Sequence, residues 1–361
     1  MKFLLILSII LPLGCASKKD PPMKKVPRPK STKEILEDFD VDKKVIQKYQ
    51  EKIVEPEPVQ AQPVSNIEQM PTPAKTTITQ AKPVAVIQPI KVAPKPTPPP
   101  AVATKPSKKE KPYPEDYKEA DKNSQKFWHL LKPNVLENEK IYMDMNYLGM
   151  KTGTILLETK PKNFLGTEPV FHFRAELESA PFYRYVYELD DKIDSFIAVK
   201  NFSPRKYKFV QRESAQSVDD LQLFDSEKKK VMWFYERETK AKKEKKQRTS
   251  VTPFRYQDPL SVIYFIRSLP LNKGDKYIIP VVNKSKLLTL EVMPEEHETL
   301  ETAIGKLETI RVHVMTQYTG ESLKSGDMMF WFTRDAKKIF VKVKAKIKIG
   351  AVNGEITKYS H

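Results

Sequence analysis

The 361-residue chain has a single cysteine, Cys15, only ten glycines and three tryptophans. One cysteine excludes an internal disulfide framework and any site built from several thiolates. Between Gly14 and Gly149 there is no glycine at all, although residues 16–115 hold 19 of the 30 prolines. A glycine-free, proline-rich stretch is a semi-rigid polyproline spacer rather than a limp linker. The only long apolar run, Phe3–Leu13, is too short to span a bilayer as a permanent helix. HExxH, GxSxG and phosphate-binding glycine loops are all missing, and the five histidines (His129, His172, His297, His313, His361) do not pair at metal-ligand spacing. Nothing in the sequence calls for a cofactor or a metal, and no constellation of residues points to an enzyme.

What is present begins with the N-terminus. Lys2 followed by the apolar run suits the h-region of a secretory signal, here residues 1–14. Leu11, Leu13, Gly14 and Cys15 resemble the lipobox of bacterial lipoproteins, with Pro12 departing from the usual pattern. That resemblance implies lipidation at Cys15 and attachment to a membrane; a plain cleaved signal with an incidental cysteine is the alternative. Ala16 and Ser17 follow in place of Asp, which by resemblance to the sorting rule of enteric bacteria implies the outer membrane and a periplasm-facing protein.

Residues 15–115 read as a disordered Pro/Lys-rich tether with Lys-Pro pairs at Lys82, Lys95, Lys105 and Lys111, similar to the spacers of TonB-type proteins. From Glu55 to Glu115 a polyproline helix at ~3.1 Å per residue would reach about 190 Å. A helical island interrupts it at 31–54. Ser31 and Glu34 form a capping-box pattern; Ile35, Leu36 and Phe39 share one face, and Ile46, Tyr49 and Ile53 another. The pair is too short to fold alone and is expected either to stay a transient helix or to dock, on a partner or on the domain that follows.

From about residue 116 the composition turns aromatic. A short helix is expected over Lys122–Leu131. Strand patterns follow at 141–145 and 153–157, flanking a turn at Leu148-Gly149, then at 168–178, 185–199, 205–214, 220–226 and 229–239. After one helix come further strands at 276–282, 286–293, 296–302, 308–318, 327–333, 338–349 and 351–358, with Asn353-Gly354 as a hairpin signal. The helix is the organising element. Asp258 suits an N-cap, Pro259 the first turn, and Leu260, Ile263, Tyr264 and Ile266 lie among neighbours apolar on nearly every side, so it should be buried. The predicted fold is mainly β: a large curved antiparallel sheet, half-barrel or barrel-like, around one buried helix, occupying residues 116–361.

The segments YMDMNYLGMKTGTILLE, YELDDKIDSFIAV, QDPLSVIYFIRSLPLNKGDKYIIPV, ETAIGKLETIRVHV and FWFTRDAKKIFVKVKAKIKIGAVNGEI, in that order, resemble the bacterial envelope β-proteins called domain of unknown function 3108. The resemblance covers residues 137–358 and implies an envelope location and a β fold; it supplies no catalytic residues. The lipoprotein carriers of the Lol system are similar in architecture only.

Two surfaces stand out. Arg237–Arg248 carries seven basic and two acidic residues and reads as a mobile loop. Its Lys240, Lys242, Lys243, Lys245 and Lys246 could meet anionic lipid, lipopolysaccharide or peptidoglycan, or could be only solvated. Nucleic acid is not expected as the partner of an exported protein. Leu260, Ile263, Tyr264 and Ile266 could line a cavity, or simply fill the core. Asp190, Asp191 and Asp194 are close in sequence, but a solvated strand face explains them without a metal. Two functions stay open. One is a non-enzymatic lipoprotein presenting its β-domain across the periplasm to an envelope component or protein. The other is a carrier holding an acyl chain inside the sheet.

Overall fold

The computed structural model describes residues 27–53, 113–318, 326–347 and 349–361. Residues 1–26, Cys15 among them, and the proline-rich residues 54–112 lie outside them.

The strands are β1 (Glu51–Ile53), β2 (Lys140–Tyr147), β3 (Met150–Leu165), β4 (Glu168–Ser179), β5 (Asp190–Ala198), β6 (Pro204–Arg212), β7 (Gln216–Asp225), β8 (Lys230–Thr239), β9 (Lys243–Val251), β10 (Tyr277–Asn283), β11 (Lys286–Thr302), β12 (Gly305–Tyr318), β13 (Asp327–Thr333), β14 (Phe340–Lys346) and β15 (Ala351–Ser360). They form one antiparallel sheet in the order β10-β11-β12-β13-β14-β15-β2-β3-β4-β5-β6-β7-β8-β9, with β1 beside the far end of β3. β15 pairs with β2, which joins the two runs of strands into one surface. β9 and β10 do not pair, so the sheet is curved without closing into a barrel. The free edge of β10 is met by Gln257, whose amide donates to the Pro280 carbonyl and whose carbonyl accepts from Val282, both at 2.9 Å.

Among the described residues four α-helices accompany the sheet: α1 (Thr32–Asp38), α2 (Lys43–Lys48), α3 (Glu115–Gln125) and α4 (Ser261–Arg267). α4 is the expected buried helix, with every residue buried. Its start differs in detail. Pro259 and Leu260 form a turn, and the Asp258 carboxylate accepts from the amides of Leu260 and Ser261, both at 2.9 Å. α3 begins earlier than the sequence suggests. Phe127 and Trp128 follow it in a 3-10 turn and pack on α4 through Phe265.

The hairpin at Leu148-Gly149 is present, and both residues have the positive φ that such a turn requires. The Asn353-Gly354 signal is not a turn. Both residues lie inside β15, and the chain reverses between the paired Lys346 and Ala351, with Gly350 at φ +78°. Gly354 serves close packing instead: a Cβ there would lie 2.8 Å from Val343 Cγ1 and 2.9 Å from Met145 Sδ. The antiparallel pairing of the last two strands stands, set by the other turn. β11 is one strand where two were expected. Its ladder is only disturbed between Pro294 and His297, because proline has no amide to donate. β5 starts at Asp190 because residues 183–185 form a 3-10 turn.

Of the alternatives open for 31–54, the structure shows docking on the domain: the segment is a strap on the outer face of the sheet. Ser31 and Glu34 form the capping box. Ile35, Leu36 and Tyr49 are buried against Leu221, Leu223 and Phe234 of β7 and β8. Phe39 meets the Phe234 ring edge-on at 5.4 Å. This is why β7 is buried on both faces: Leu221 and Leu223 point to the strap, and Phe224 points to the main core. The folded unit therefore comprises 27–53 together with 113–361. The chain leaves it after Ile53 and rejoins it at Tyr113, so residues 54–112 connect two parts of one unit.

Candidate functional site

The inner face of the sheet is organised around α4. Leu260, Ile263, Tyr264 and Ile266 are all buried there. The Tyr264 ring stacks on Phe173 of β4 with centroids 3.8 Å apart and planes 5° apart. Phe265 lies among Trp128 at 4.5 Å, Phe202 at 6.2 Å and Phe127 at 6.4 Å. These side chains belong to one continuous apolar cluster with β2–β6 and β10–β15. The helix fills space beside the sheet instead of bordering it.

Polar groups secure both ends of that helix. Asp258 is fully buried and also accepts from Ser195 Oγ of β5 at 2.6 Å; burial pushes its carboxyl up to about 6. At the other end the Arg267 guanidinium forms a buried bidentate pair with Glu139, with Nη2 2.9 Å from Oε1. Its Nε donates to the Lys337 carbonyl at 2.7 Å, and Tyr359 Oη donates to Glu139 at 3.2 Å. This four-way junction ties α4 to the starts and ends of distant strands. Sequence reasoning missed it; the available signal was a lone Arg at the end of an otherwise apolar helix. A third buried carboxylate, Asp220, accepts from Trp233 Nε1 at 3.0 Å, faces Lys284 at 3.7 Å, and is pushed up to about 6 by burial.

The strap covers the apolar part of the outer face on β7 and β8, and the outer face of β4 and β5 is polar. His172 and Arg174 reach Asp194 at 2.6 and 2.7 Å. Burial works against the Asp194 carboxylate, but these two partners outweigh it and hold it below the usual carboxylate range. Ser195 follows Asp194 directly, yet strand alternation sends it to the opposite face and to Asp258, so serine, histidine and aspartate do not converge. Asp190 is exposed, while Asp191 is buried with Glu213; burial raises both, and the Glu213 charge raises Asp191 further. The three aspartates thus occupy three separate environments. Lys206 is buried at the hem of the strap, paired with Glu51 and lying 4.1 Å from the Phe196 ring centroid; burial lowers its ammonium despite Glu51. Among the described residues no group of three or more His, Cys, Asp or Glu could hold a metal ion, and no helix is long and apolar enough to cross a membrane.

The basic run is not a loop. Residues 243–251 form β9, the edge strand of the sheet, and only 240–242 make the turn. Lys243 pairs with Glu238 at 3.0 Å, Lys245 with Glu236 at 2.7 Å and Lys246 with Glu244 at 2.6 Å. Lys240 and Lys242, at the tip, are exposed and make no ion pair among the described residues. An edge strand presents unpaired amides and carbonyls, and a row of lysines is a common means of blocking edge-to-edge association.

The described structure brings none of the five lysines to the α4 residues, and Cys15 lies outside the described residues. Among solved structures, a β-barrel-like protein of domain DUF1849 from Brucella abortus aligns at 11% identity with a TM-score of 0.41, over 62% of this chain and 96% of that one. A Bacteroides fragilis protein described as exported, with a YmcC-like fold, aligns at 11% and 0.29 over 64% and 99%. A Parabacteroides distasonis protein described as a lipoprotein aligns at 7% and 0.28 over 65% and 98%. At these scores they carry no argument beyond the observation. No curated protein matches. The family model for proteins of unknown function DUF3108 matches residues 142–357, more than half of the chain and nearly all of the sheet from β2 to β15. The chain belongs to the DUF3108 family.

Proposed function

We propose that the protein is a non-enzymatic lipoprotein of the outer membrane, held through lipidated Cys15 and facing the periplasm. In this reading its β-domain is a rigid scaffold that binds an envelope component: peptidoglycan, lipopolysaccharide or another envelope protein. The observation that carries the scaffold reading over the carrier reading is the packing of α4. Tyr264 stacked on Phe173, and Phe265 set among three aromatic rings, occupy the space a carried acyl chain would need.

The docked strap changes how such a scaffold would be presented. An arm of about 190 Å requires residues 55–115 to lie between membrane and domain. With residues 27–53 on the domain, only residues 16–26 separate Cys15 from the folded unit, a reach of at most about 40 Å. The β-domain then stays near its own membrane, and residues 54–112 are the part of the chain available to meet a more distant partner.

Purification from membranes followed by mass spectrometry and cross-linking tests the reading. The expected result is covalent lipid on the peptide containing Cys15, no stoichiometric free lipid, and cross-links to an envelope component. Cys15→Ser should release the protein from the membrane fraction. A co-purifying acyl lipid in one-to-one amount would overturn the scaffold in favour of the carrier.

A further inference from the structure

In an antiparallel meander alternate connections fall at the same end of the sheet. The β2–β3 turn, the β4–β5 loop, the β6–β7 turn and the β8–β9 turn share one end, and the β14–β15 turn joins them because β15 pairs with β2. Six of the nine exposed large apolar residues among the described residues are on this end: Leu148, Met150, Phe182, Tyr185, Val186 and Ile349. They are neighbours, not scattered singles. Tyr147 Oη donates to the Ile349 carbonyl at 3.1 Å, and the Ala180 amide donates to the Thr152 carbonyl at 2.9 Å, which ties three tips together. Phe182 is 81% exposed and Tyr185 92%. Loop tips facing water normally carry Gly, Asn, Asp or Ser, so a cluster of this kind marks an interaction surface.

An independent feature points to what covers it. The chain arrives at the domain from its N-terminal segment at this same end. Arg212 Nη2 donates to the Arg28 carbonyl at 3.0 Å, and Arg212 is the last residue of β6 before the β6–β7 turn. Residues 16–26 can span at most about 40 Å. Resting on the anchoring at Cys15 proposed above, the lipid surface lies within that distance of Pro27, at the end of the sheet that carries the apolar tips.

We propose that this end of the β-domain is a membrane-contact rim, with Leu148, Met150, Phe182, Tyr185, Val186 and Ile349 seated in the interfacial layer of the bilayer that holds Cys15. Tyr185 suits that layer, since its ring is apolar and its hydroxyl stays hydrated. Lys240, Lys242 and Lys346 are exposed at the same end, but so are Glu188 and Asp190, and the exposed Lys151 and Arg184 beside the apolar tips pair with Asp144 and Glu178. The contact is therefore chiefly apolar, and salt should change it little.

The test uses the chain from residue 15 onward with Cys15→Ser, so that no lipid anchor contributes, and vesicles of phosphatidylethanolamine and phosphatidylglycerol. The parent should co-sediment with vesicles at low and at high salt. A variant with Phe182→Ser, Tyr185→Ser and Val186→Ser should partition at least about tenfold less. A second readout guards against misfolding. An environment-sensitive dye on Tyr185→Cys should shift to the blue with vesicles, and on Ile304→Cys, in the β11–β12 turn at the opposite end, it should not. Equal partition of parent and variant, no partition of the parent, or equal dye shifts at both positions would overturn the proposal. So would a concentration-dependent dimer lost in the triple variant, which would assign the rim to a second copy. Palmitate labelling of the intact protein tests the anchor separately: unlabelled Cys15 with retained vesicle binding would remove the anchor and support the rim.

Discussion

Replacing Leu36 by Ala probes the strap most cleanly. Leu36 is fully buried between α1 and the outer face of β7 and β8, beside Ile35 and facing Leu221, Leu223 and Phe234. Truncating a fully buried leucine typically costs about 2–5 kcal/mol. The strap is joined to the sheet by side chains and by the three-residue strand β1, so it can open without the sheet unfolding. The cost should therefore appear as local opening. At ~1.4 kcal/mol per factor of ten, even the lower figure raises the open population about thirtyfold. Limited proteolysis reads this population when closing is faster than cleavage, so cutting within 27–53 should accelerate by at least that factor. Lys206 offers an internal reporter. Its ammonium is buried under Glu51 and should become reactive toward an acylating reagent in the variant. Global melting of the sheet should move far less than strap opening. Unchanged proteolysis and unchanged Lys206 reactivity would refute the reasoning, because they would mean that Leu36 is not what holds the strap.

Other outcomes follow from the buried groups and the edge. Arg267→Met leaves Glu139 charged and buried without its partner and should destabilise the domain by about 3–5 kcal/mol in urea denaturation, while Arg267→Met with Glu139→Leu should recover much of the loss. Asp220, pushed up to about 6, holds its proton in the folded state to higher pH than in the unfolded chain. Stability should accordingly fall as pH rises from about 4 through about 6, and Asp220→Asn should flatten that fall; parallel curves for parent and variant would count against it. Replacing Lys243, Lys245, Lys246 and Arg248 by Thr should leave the melting temperature nearly unchanged, since the exposed pairs of Lys243 and Lys246 contribute about 0–1 kcal/mol each and the buried Glu236 keeps Lys30 as a partner when Lys245 is lost. It should also promote self-association in sedimentation velocity, because the bare edge of β9 is no longer charged.

The sequence made α4 legible because a helix apolar on every side has only one place to go, and it made most strands legible through alternation and turns such as Leu148-Gly149. β9 was not legible because an edge strand exposed on both faces has no apolar period to read; its lysines looked like a loop. The role of Asn353-Gly354 was misread because the same dipeptide serves a turn or a tight strand crossing, and only the proximity of Val343 and Met145 decides which. The strap's helices and capping box could be read from 31–54, but not their docking surface. Leu221 and Leu223 alternate with Asp220 and Gln222 as they would in a half-buried strand, so the burial of both faces left no mark. The Glu139–Arg267 pair joins residues 128 apart in the chain, a separation at which neither residue signals the other. Of the candidate site residues, the α4 set lies in the buried core, and the basic run lies in an edge strand and the turn before it.

Residues 27–53 belong to the β-domain in this structure. A specific protease site placed near residue 80, within the segment that leaves the unit after Ile53 and returns at Tyr113, tests this directly in the chain from residue 15 onward with Cys15→Ser and an N-terminal affinity tag. After complete cleavage under native conditions, the account predicts that the fragment carrying 113–361 co-purifies with the tagged fragment and co-elutes with it in gel filtration. Free elution of the 113–361 fragment would contradict it and restore residues 15–115 as a tether.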